Sequence, residues 1–153
     1  HFGLTRKNAF RAIIGTILCF IPSICCIFLS GQFEGYQPFS ILITEDVIAA
    51  GFPISIIGMA LIVAVWGFFE GFNYAVVCEK IDRRYPSKRK WLDYGALICA
   101  VICILLHPIS TSFWGIVEII TTFIAIYGML MVRKQTGNAW GCVFAFCFIW
   151  NAI

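Results

Sequence analysis

Charged residues are scarce in this sequence. They make up 12% of its 153 residues, about half of the roughly 25% that soluble domains carry. Hydrophobic residues account for 61% of the chain, and the mean hydropathy is +0.91. This composition argues against a soluble single domain and indicates an integral membrane protein embedded in a lipid bilayer.

Histidine and patterned cysteine, the usual ligands of structural zinc sites, are also lacking. The chain has two histidines, and its eight cysteines all lie within apolar segments, where none forms a C-x-x-C pair with a partner histidine motif. We interpret the cysteines as small buried hydrophobic side chains. The sequence therefore favours neither a zinc knuckle nor a disulfide framework.

Long apolar runs are what the sequence has in abundance. Four or five of them approach or exceed the roughly 20 residues that a helix needs to cross the hydrocarbon layer. They predict an all-α, polytopic transmembrane helical bundle of about five spans, forming a single domain over residues 1–153. The predicted spans are residues 9–30, 54–81, 91–107, 114–132 and 138–153.

Residues 39–51 are apolar but too short to span a bilayer. They carry Glu45 and Asp46 in their middle, so they predict an interfacial or re-entrant piece on the outer face. The chain begins at His1 rather than Met and ends within an apolar run. It is therefore expected to be a fragment of a longer protein.

The positive charge is confined to short stretches between the predicted spans. All eleven Lys and Arg fall in residues 6–11, 80–90 and 133–134. The positive-inside rule places all three stretches, and with them the amino end, on the cytoplasmic side. Because topology accounts for these clusters, nucleic acid is not predicted as a partner.

Polar residues from separate spans are predicted to lie at a similar depth. Counting 1.5 Å per residue from the cytoplasmic end of each span puts Glu70 at about 15 Å, Glu118 at about 22 Å, His107 at about 24 Å and Asn151 at about 25 Å. Ionisable residues within a bilayer are costly and usually mark function. A shared buried polar site is therefore predicted, with Glu118 given less weight because it could equally face water near the outer surface. The alternative is that these side chains bond one another only to fix helix packing.

The surroundings of Glu70 add to this prediction. Asn73 and Tyr74 follow it by three and four residues, so they share its helical face. Gly67 and Gly71 flank it, and small residues at such positions let another helix approach closely.

Glutamate, histidine and asparagine together suggest amide hydrolysis without a covalent nucleophile. A carboxylate and an imidazole can share a proton taken from water and return it to a leaving amine. An asparagine amide can donate to the oxyanion that forms. The same set could instead relay protons in a transporter.

The order of these residues resembles the CPBP (CAAX protease and bacteriocin-processing) intramembrane proteases, which include the CAAX prenyl endopeptidase and bacteriocin-immunity relatives. The opening "FGLTRKN" is similar to the short segment before the first span in bacterial members. The family's first motif is a pair of glutamates followed by an arginine. Glu70 matches its first position, whereas Gly71 and Ala75 stand at the other two.

The two later motifs match in part. In the second motif, phenylalanine and a histidine four residues on, His107 matches and Cys103 replaces the phenylalanine. In the third, histidine and an asparagine or aspartate four residues on, Asn151 matches and Cys147 replaces the histidine. The resemblance implies that Glu70 and His107 activate the attacking water, that Asn151 holds the oxyanion, and that Cys147 stands where a second histidine assists.

The resemblance implies an intramembrane endopeptidase that cleaves a peptide or protein substrate, in a prokaryotic plasma membrane. Since two of the family's expected ligands are altered and no further histidine is available within the membrane, we expect no zinc and no other cofactor. Two alternatives stay open: an inactive relative with a binding, immunity or scaffold role, and a proton-coupled transporter in which Glu70 carries the proton.

Overall fold

The computed structural model of this protein describes residues 2–89, 91–108, 110–150 and 152–153. These residues form helices connected by turns and loops, with no strand among them, which confirms the all-α helical bundle. The helices are α1 (Ala9–Ser30), α2 (Thr44–Ala49), α3 (Ile54–Ile62), α4 (Glu70–Arg84), α5 (Tyr94–Leu105), α6 (Phe113–Thr136) and α7 (Trp140–Ala145). A first π segment, Val63–Phe69, joins α3 to α4, and a second π segment, Phe146–Trp150, continues α7.

Three helices are long and apolar enough to cross a membrane by length and composition. They are Ala9–Ser30, the continuous helix Ile54–Arg84 and Phe113–Thr136, with 22, 31 and 24 residues. Only 17–28% of their apolar windows are buried inside the protein, so most of their apolar surface is available to lipid. Such exposure would be costly in water at roughly 25 cal/mol per Å² of apolar area.

The other two predicted spans are present as shorter helices. Tyr94–Leu105 has 12 residues, which is about 18 Å of helix, and Trp140–Trp150 is also in the 10–17 residue class. Asp93 caps the start of α5 with its side chain, and Pro108 follows its end, so neither terminus extends as far as the apolar run. Of the about five spans that the sequence predicted, three have helices of spanning length in the described residues and two have shorter apolar helices.

Residues 39–51, which the sequence predicts to be an interfacial or re-entrant piece, contain a short helix. Only residues 44–49 of this stretch are helical, with Glu45 and Asp46 in the first turn. Carboxylates are favourable there because the helix dipole is positive at its amino end.

Small side chains fill the interior of the bundle. The central cluster is rich in alanine and cysteine, and six of the eight cysteines are buried, while Cys19 is half-buried and Cys25 is exposed. All eight are free thiols. Most of the cysteines therefore act as the small buried hydrophobic residues that the sequence predicted.

The amino-terminal segment is tied to the turn between α6 and α7. Asn138 is fully buried, and its Nδ2 donates to the backbone carbonyls of Thr5 at 2.7 Å and Lys7 at 2.8 Å, while its Oδ1 accepts from the Trp140 N–H. Asn8 adds a bond to the Thr136 carbonyl. One side chain thus satisfies three backbone groups that would otherwise be left unpaired.

These contacts bring the basic stretches to one end of the bundle. Lys7 lies against the α6–α7 turn through Asn138, and Lys134 of α6 pairs with Asp82 near the end of α4 and with Asp93 at the start of α5. We call this the basic end. The turn after α5, the start of α6 and the carboxyl half of α1 lie toward the opposite end.

Candidate functional site

Glu70 is the first residue of α4 and directly follows the first π segment. Its side chain is half-buried. The carboxylate interacts electrostatically with the Tyr74 hydroxyl one turn later and with the Cys103 thiol of α5. Glu70 therefore lies on the part of α4 that meets α5, whereas Asn73 is exposed.

The two π segments contact each other at Gly67 and Cys147. A Cβ added to Gly67 would lie 2.9 Å from the Cys147 Sγ. One turn along, a Cβ on Gly71 would lie 2.5 Å from the Cys142 carbonyl oxygen. The close helix approach predicted from the two glycines is present, and the neighbour is α7 with its π extension.

The placement of the π segments matters for the predicted chemistry. Single π turns inside α-helices are rare and occur often at functional sites, because they add a residue to one turn and re-aim the side chains that follow. Here the first immediately precedes Glu70, and the second ends at Trp150, next to Asn151 in the sequence. Asn151 itself lies outside the described residues, so its predicted oxyanion role stays a prediction.

His107 follows the carboxyl end of α5. Its Nδ1 is 2.7 Å from the carbonyl oxygen of Cys103. A carbonyl can only accept, so Nδ1 carries the hydrogen in this bond, and Nε2 holds the lone pair of the neutral ring. The edge of the ring packs against Trp150 with centroids 5.4 Å apart. The imidazole is thus held in the tautomer that can act as a base through Nε2.

A cavity of about 240 Å³ opens beside His107 at the end opposite the basic end. Its lining comes from α1, the end of α5 and the turn after it, the first half of α6, and the second π segment with Ile153 beyond it. Its lining is Phe20, Ser23, Ile24, Cys26, Ile27, Ile104, His107, Pro108, Ser110, Gly115, Glu118, Ile119, Thr121, Thr122, Ile149, Trp150 and Ile153. Apolar walls with a few polar groups are typical of small-molecule sites.

The polar groups of this cavity come from different helices. The hydroxyl of Ser23 on α1 is buried and has no hydrogen-bond partner among the described residues. Glu118 on α6 is exposed as a residue, yet its carboxylate interacts electrostatically with the Cys26 thiol across the cavity. The Thr121 hydroxyl bonds back to the Glu118 carbonyl.

The residues that the sequence predicted to form one polar site thus lie in two neighbouring regions of the bundle. The cavity contains His107 and Glu118, and neither Glu70 nor Cys147 is among its lining residues. Glu70 lies instead against Tyr74 and Cys103, and Cys103 is also the residue whose carbonyl binds His107. Cys147 is buried against Gly67. Glu118, which sequence reasoning gave less weight because it could face water, is an exposed residue that also lines the cavity.

Residues after α1 fold over the second π segment. The Tyr36 hydroxyl donates to the Phe148 carbonyl at 3.1 Å, and the Gln37 N–H donates to the Ala152 carbonyl at 2.8 Å. The Phe39 and Phe148 rings pack edge to face. These bonds satisfy carbonyl groups near the carboxyl end of the described chain.

A second polar cluster lies at the basic end, and sequence reasoning missed it. Lys134 of α6 donates to the Asp93 carboxylate and lies 3.6 Å from that of Asp82. The same Asp93 accepts from the Ala96 N–H at 2.7 Å, which caps α5, and Asp82 accepts from the Gly95 N–H at 3.0 Å. This cluster fixes where α5 begins relative to α4 and α6. The sequence did hold a signal for this cluster, because its acidic residues lie two to four residues from basic residues.

A neighbouring ion-pair cluster joins α6 to α4. Arg133 is 6% exposed and lies 2.5 Å from the Glu79 carboxylate. Glu79 also accepts from Arg83 at 2.8 Å. Removing one partner of such a buried pair leaves an uncompensated charge, which is strongly destabilising.

Cys78, Asp82 and Asp93 place three possible metal-ligand atoms within 4.8 Å of one another. The Lys134 ammonium is bonded to this group already. It supplies one positive charge beside the two carboxylates and is bonded to Asp93 directly.

The comparisons of this chain with protein-family models, with curated proteins and with solved structures found no match. The resemblance to the CPBP proteases therefore rests on the residues named from the sequence and stays a prediction.

The Asp93 carboxylate is expected to stabilise the fold through both of its contacts. Burial by itself raises the pKa of Asp93, but the hydrogen bonds from Lys134 and from the Ala96 N–H outweigh it and hold that pKa below its ordinary value. A carboxyl with a lowered pKa in the folded state contributes stability above its unfolded pKa and loses it as pH falls through the folded value.

Two substitutions of Asp93 separate the effect of its capping hydrogen bond from the effect of its negative charge. Asp93→Ala removes both and is expected to lower the free energy of unfolding by about 1 kcal/mol more than Asp93→Asn, which keeps a cap acceptor. Thermal unfolding in detergent at pH 7 measures this difference, with Asp46→Ala on exposed α2 as the matched control. The advantage of wild type over Asp93→Asn should shrink below about pH 4. Equal effects of all three substitutions would contradict the assignment.

Proposed function

We propose that this protein is an integral membrane protein that binds a small amphiphilic ligand in the cavity beside His107. The cavity is the observation that carries the proposal, because it combines apolar walls with a histidine, a carboxylate and a serine hydroxyl that has no partner within the described part of the chain. Its position in the lipid-exposed bundle gives an apolar ligand a path from the bilayer. This is the binding alternative that the sequence left open.

The position of the basic residues supports an orientation of the protein in the membrane. The basic stretches meet at one end of the bundle through Asn138 and Lys134, and such an end is favoured on the cytoplasmic side. The cavity then opens toward the outer half of the membrane. A prokaryotic plasma membrane remains the location that the family resemblance implies.

Filling the cavity tests the binding proposal. A photoactivatable eight-carbon alcohol, irradiated with the protein in phosphatidylcholine nanodiscs, is expected to label cavity residues that peptide mass spectrometry identifies. Thr122→Phe places a ring in the cavity wall and should abolish that labelling. Ile120→Phe, a change to the same residue type on the lipid-facing side of α6, should leave it intact. Labelling that is the same in all three proteins would refute the proposal.

Peptide hydrolysis is a second candidate, favoured by the fixed tautomer of His107. Nε2 of the neutral ring is available as a base, and Cys103 contacts His107 through its carbonyl and interacts with Glu70 through its thiol. A shared proton requires the carboxylate and the imidazole to come within hydrogen-bond reach, directly or through a water. Catalysis by this pair therefore depends on such a bridge.

Glu70→Gln tests hydrolysis directly, because it keeps the shape of the side chain and removes its basicity. Wild-type protein is expected to cut members of a membrane-anchored peptide library, and the variant to lose at least about 100-fold in rate, a usual share for acid–base catalysis. Glu45→Gln on exposed α2 is the control. Cleavage by neither wild type nor variant, or by both equally, would eliminate this candidate and leave ligand binding.

A further inference from the structure

The cavity beside His107 has an uneven distribution of charge. Glu118 is the one residue among those lining it that carries a formal charge at neutral pH with histidine neutral. All eleven Lys and Arg of the sequence fall in residues 6–11, 80–90 and 133–134, and these stretches meet at the basic end. The cavity therefore presents net negative charge with no cation in its wall to neutralise it.

Its polar atoms also favour a ligand that donates hydrogen bonds. In the neutral His107 ring, Nε2 holds the lone pair because Nδ1 donates to the Cys103 carbonyl. The Glu118 carboxylate only accepts, whereas the Ser23 hydroxyl, which has no hydrogen-bond partner among the described residues, can accept or donate. Residues with acceptor atoms from α1, the turn after α5 and α6 thus line one cavity.

Trp150 adds an aromatic surface to the same wall. The faces of indole rings attract cations, more so when water is excluded. The apolar remainder of the lining, such as Ile24, Ile104 and Ile149, suits a hydrocarbon chain. A cationic head and an apolar tail together match what the lining offers.

We propose that the cavity selects a primary ammonium group carrying an apolar chain, with Glu118 as the counter-ion. This inference rests on the proposed binding function and names the chemical class of its ligand. A primary ammonium supplies N–H donors and a positive charge, so it can form a charge-assisted hydrogen bond with the Glu118 carboxylate. The group could belong to a free alkylamine or to the headgroup of an aminophospholipid.

Three photoactivatable probes with the same eight-carbon chain test this selectivity. They differ only in the end group, which is ammonium, hydroxyl or carboxylate. With protein in phosphatidylcholine nanodiscs at pH 7.5, ammonium labelling of the cavity is expected to exceed hydroxyl labelling by about fivefold or more, a ratio typical of one charge-assisted contact. Carboxylate labelling should be the weakest.

Variants separate the role of the charge from that of the cavity. Glu118→Gln should remove the excess of ammonium labelling over hydroxyl labelling, so that the ratio of the two falls to about one. Glu45→Gln, an exposed carboxylate outside the cavity, should change neither. Equal labelling by ammonium and hydroxyl probes would overturn the selectivity while leaving ligand binding intact. Absence of cavity labelling by every probe would overturn both.

Competition distinguishes the two sources of the amine. Phosphatidylethanolamine added to the nanodiscs should reduce ammonium-probe labelling if an aminophospholipid is the ligand, whereas phosphatidylglycerol should not. Soluble hexylamine should reduce it if a free amine is the ligand. Failure of both amines to compete would refute recognition of the ammonium group.

Discussion

Helix α4 approaches α7 so closely that a Cβ on Gly71 would lie 2.5 Å from the Cys142 carbonyl oxygen. Helices in lipid have no hydrophobic drive toward one another, and close packing of small residues of this kind is what holds such pairs together there. The Gly67–Cys147 contact, one turn away, sets the two π segments side by side. The position of Glu70 relative to α5, and of Trp150 relative to His107, follows from this alignment.

The two ends of the bundle serve different purposes. At the basic end, Arg133 and Lys134 are matched by carboxylates, and Asn138 satisfies three backbone groups. These polar groups stabilise the fold. At the opposite end, the Ser23 hydroxyl has no hydrogen-bond partner among the described residues, and His107 binds the Cys103 carbonyl through Nδ1 alone in that contact. Polar groups left without protein partners in a cavity are the ones that a ligand can satisfy, which is why the proposed function lies there.

Much of the fold could be predicted from the sequence, because apolar runs of spanning length and three basic stretches constrain a membrane protein strongly. The glycines beside Glu70 also predicted a close neighbour correctly. The candidate site was harder to predict because the π segments break the regular rise and angular spacing from which depths and faces were counted. Pairing of Lys134 with Asp93, 41 residues earlier, depends on tertiary contact. The tautomer of His107 depends likewise on the Cys103 carbonyl, which no sequence pattern reveals.

The central claim is that the Glu70 helix and the carboxyl-terminal helix meet at their π segments, and a disulfide tests it most directly. Gly67→Cys places a new thiol within reach of native Cys147, because a Cβ at residue 67 lies 2.9 Å from that sulfur. After mild oxidation and tryptic cleavage between residues 83 and 89, the two halves should stay linked until reduced. Wild type and Val65→Cys, on the exposed side of the same segment, should separate without reductant. Separation of the oxidised Gly67→Cys halves would contradict the account.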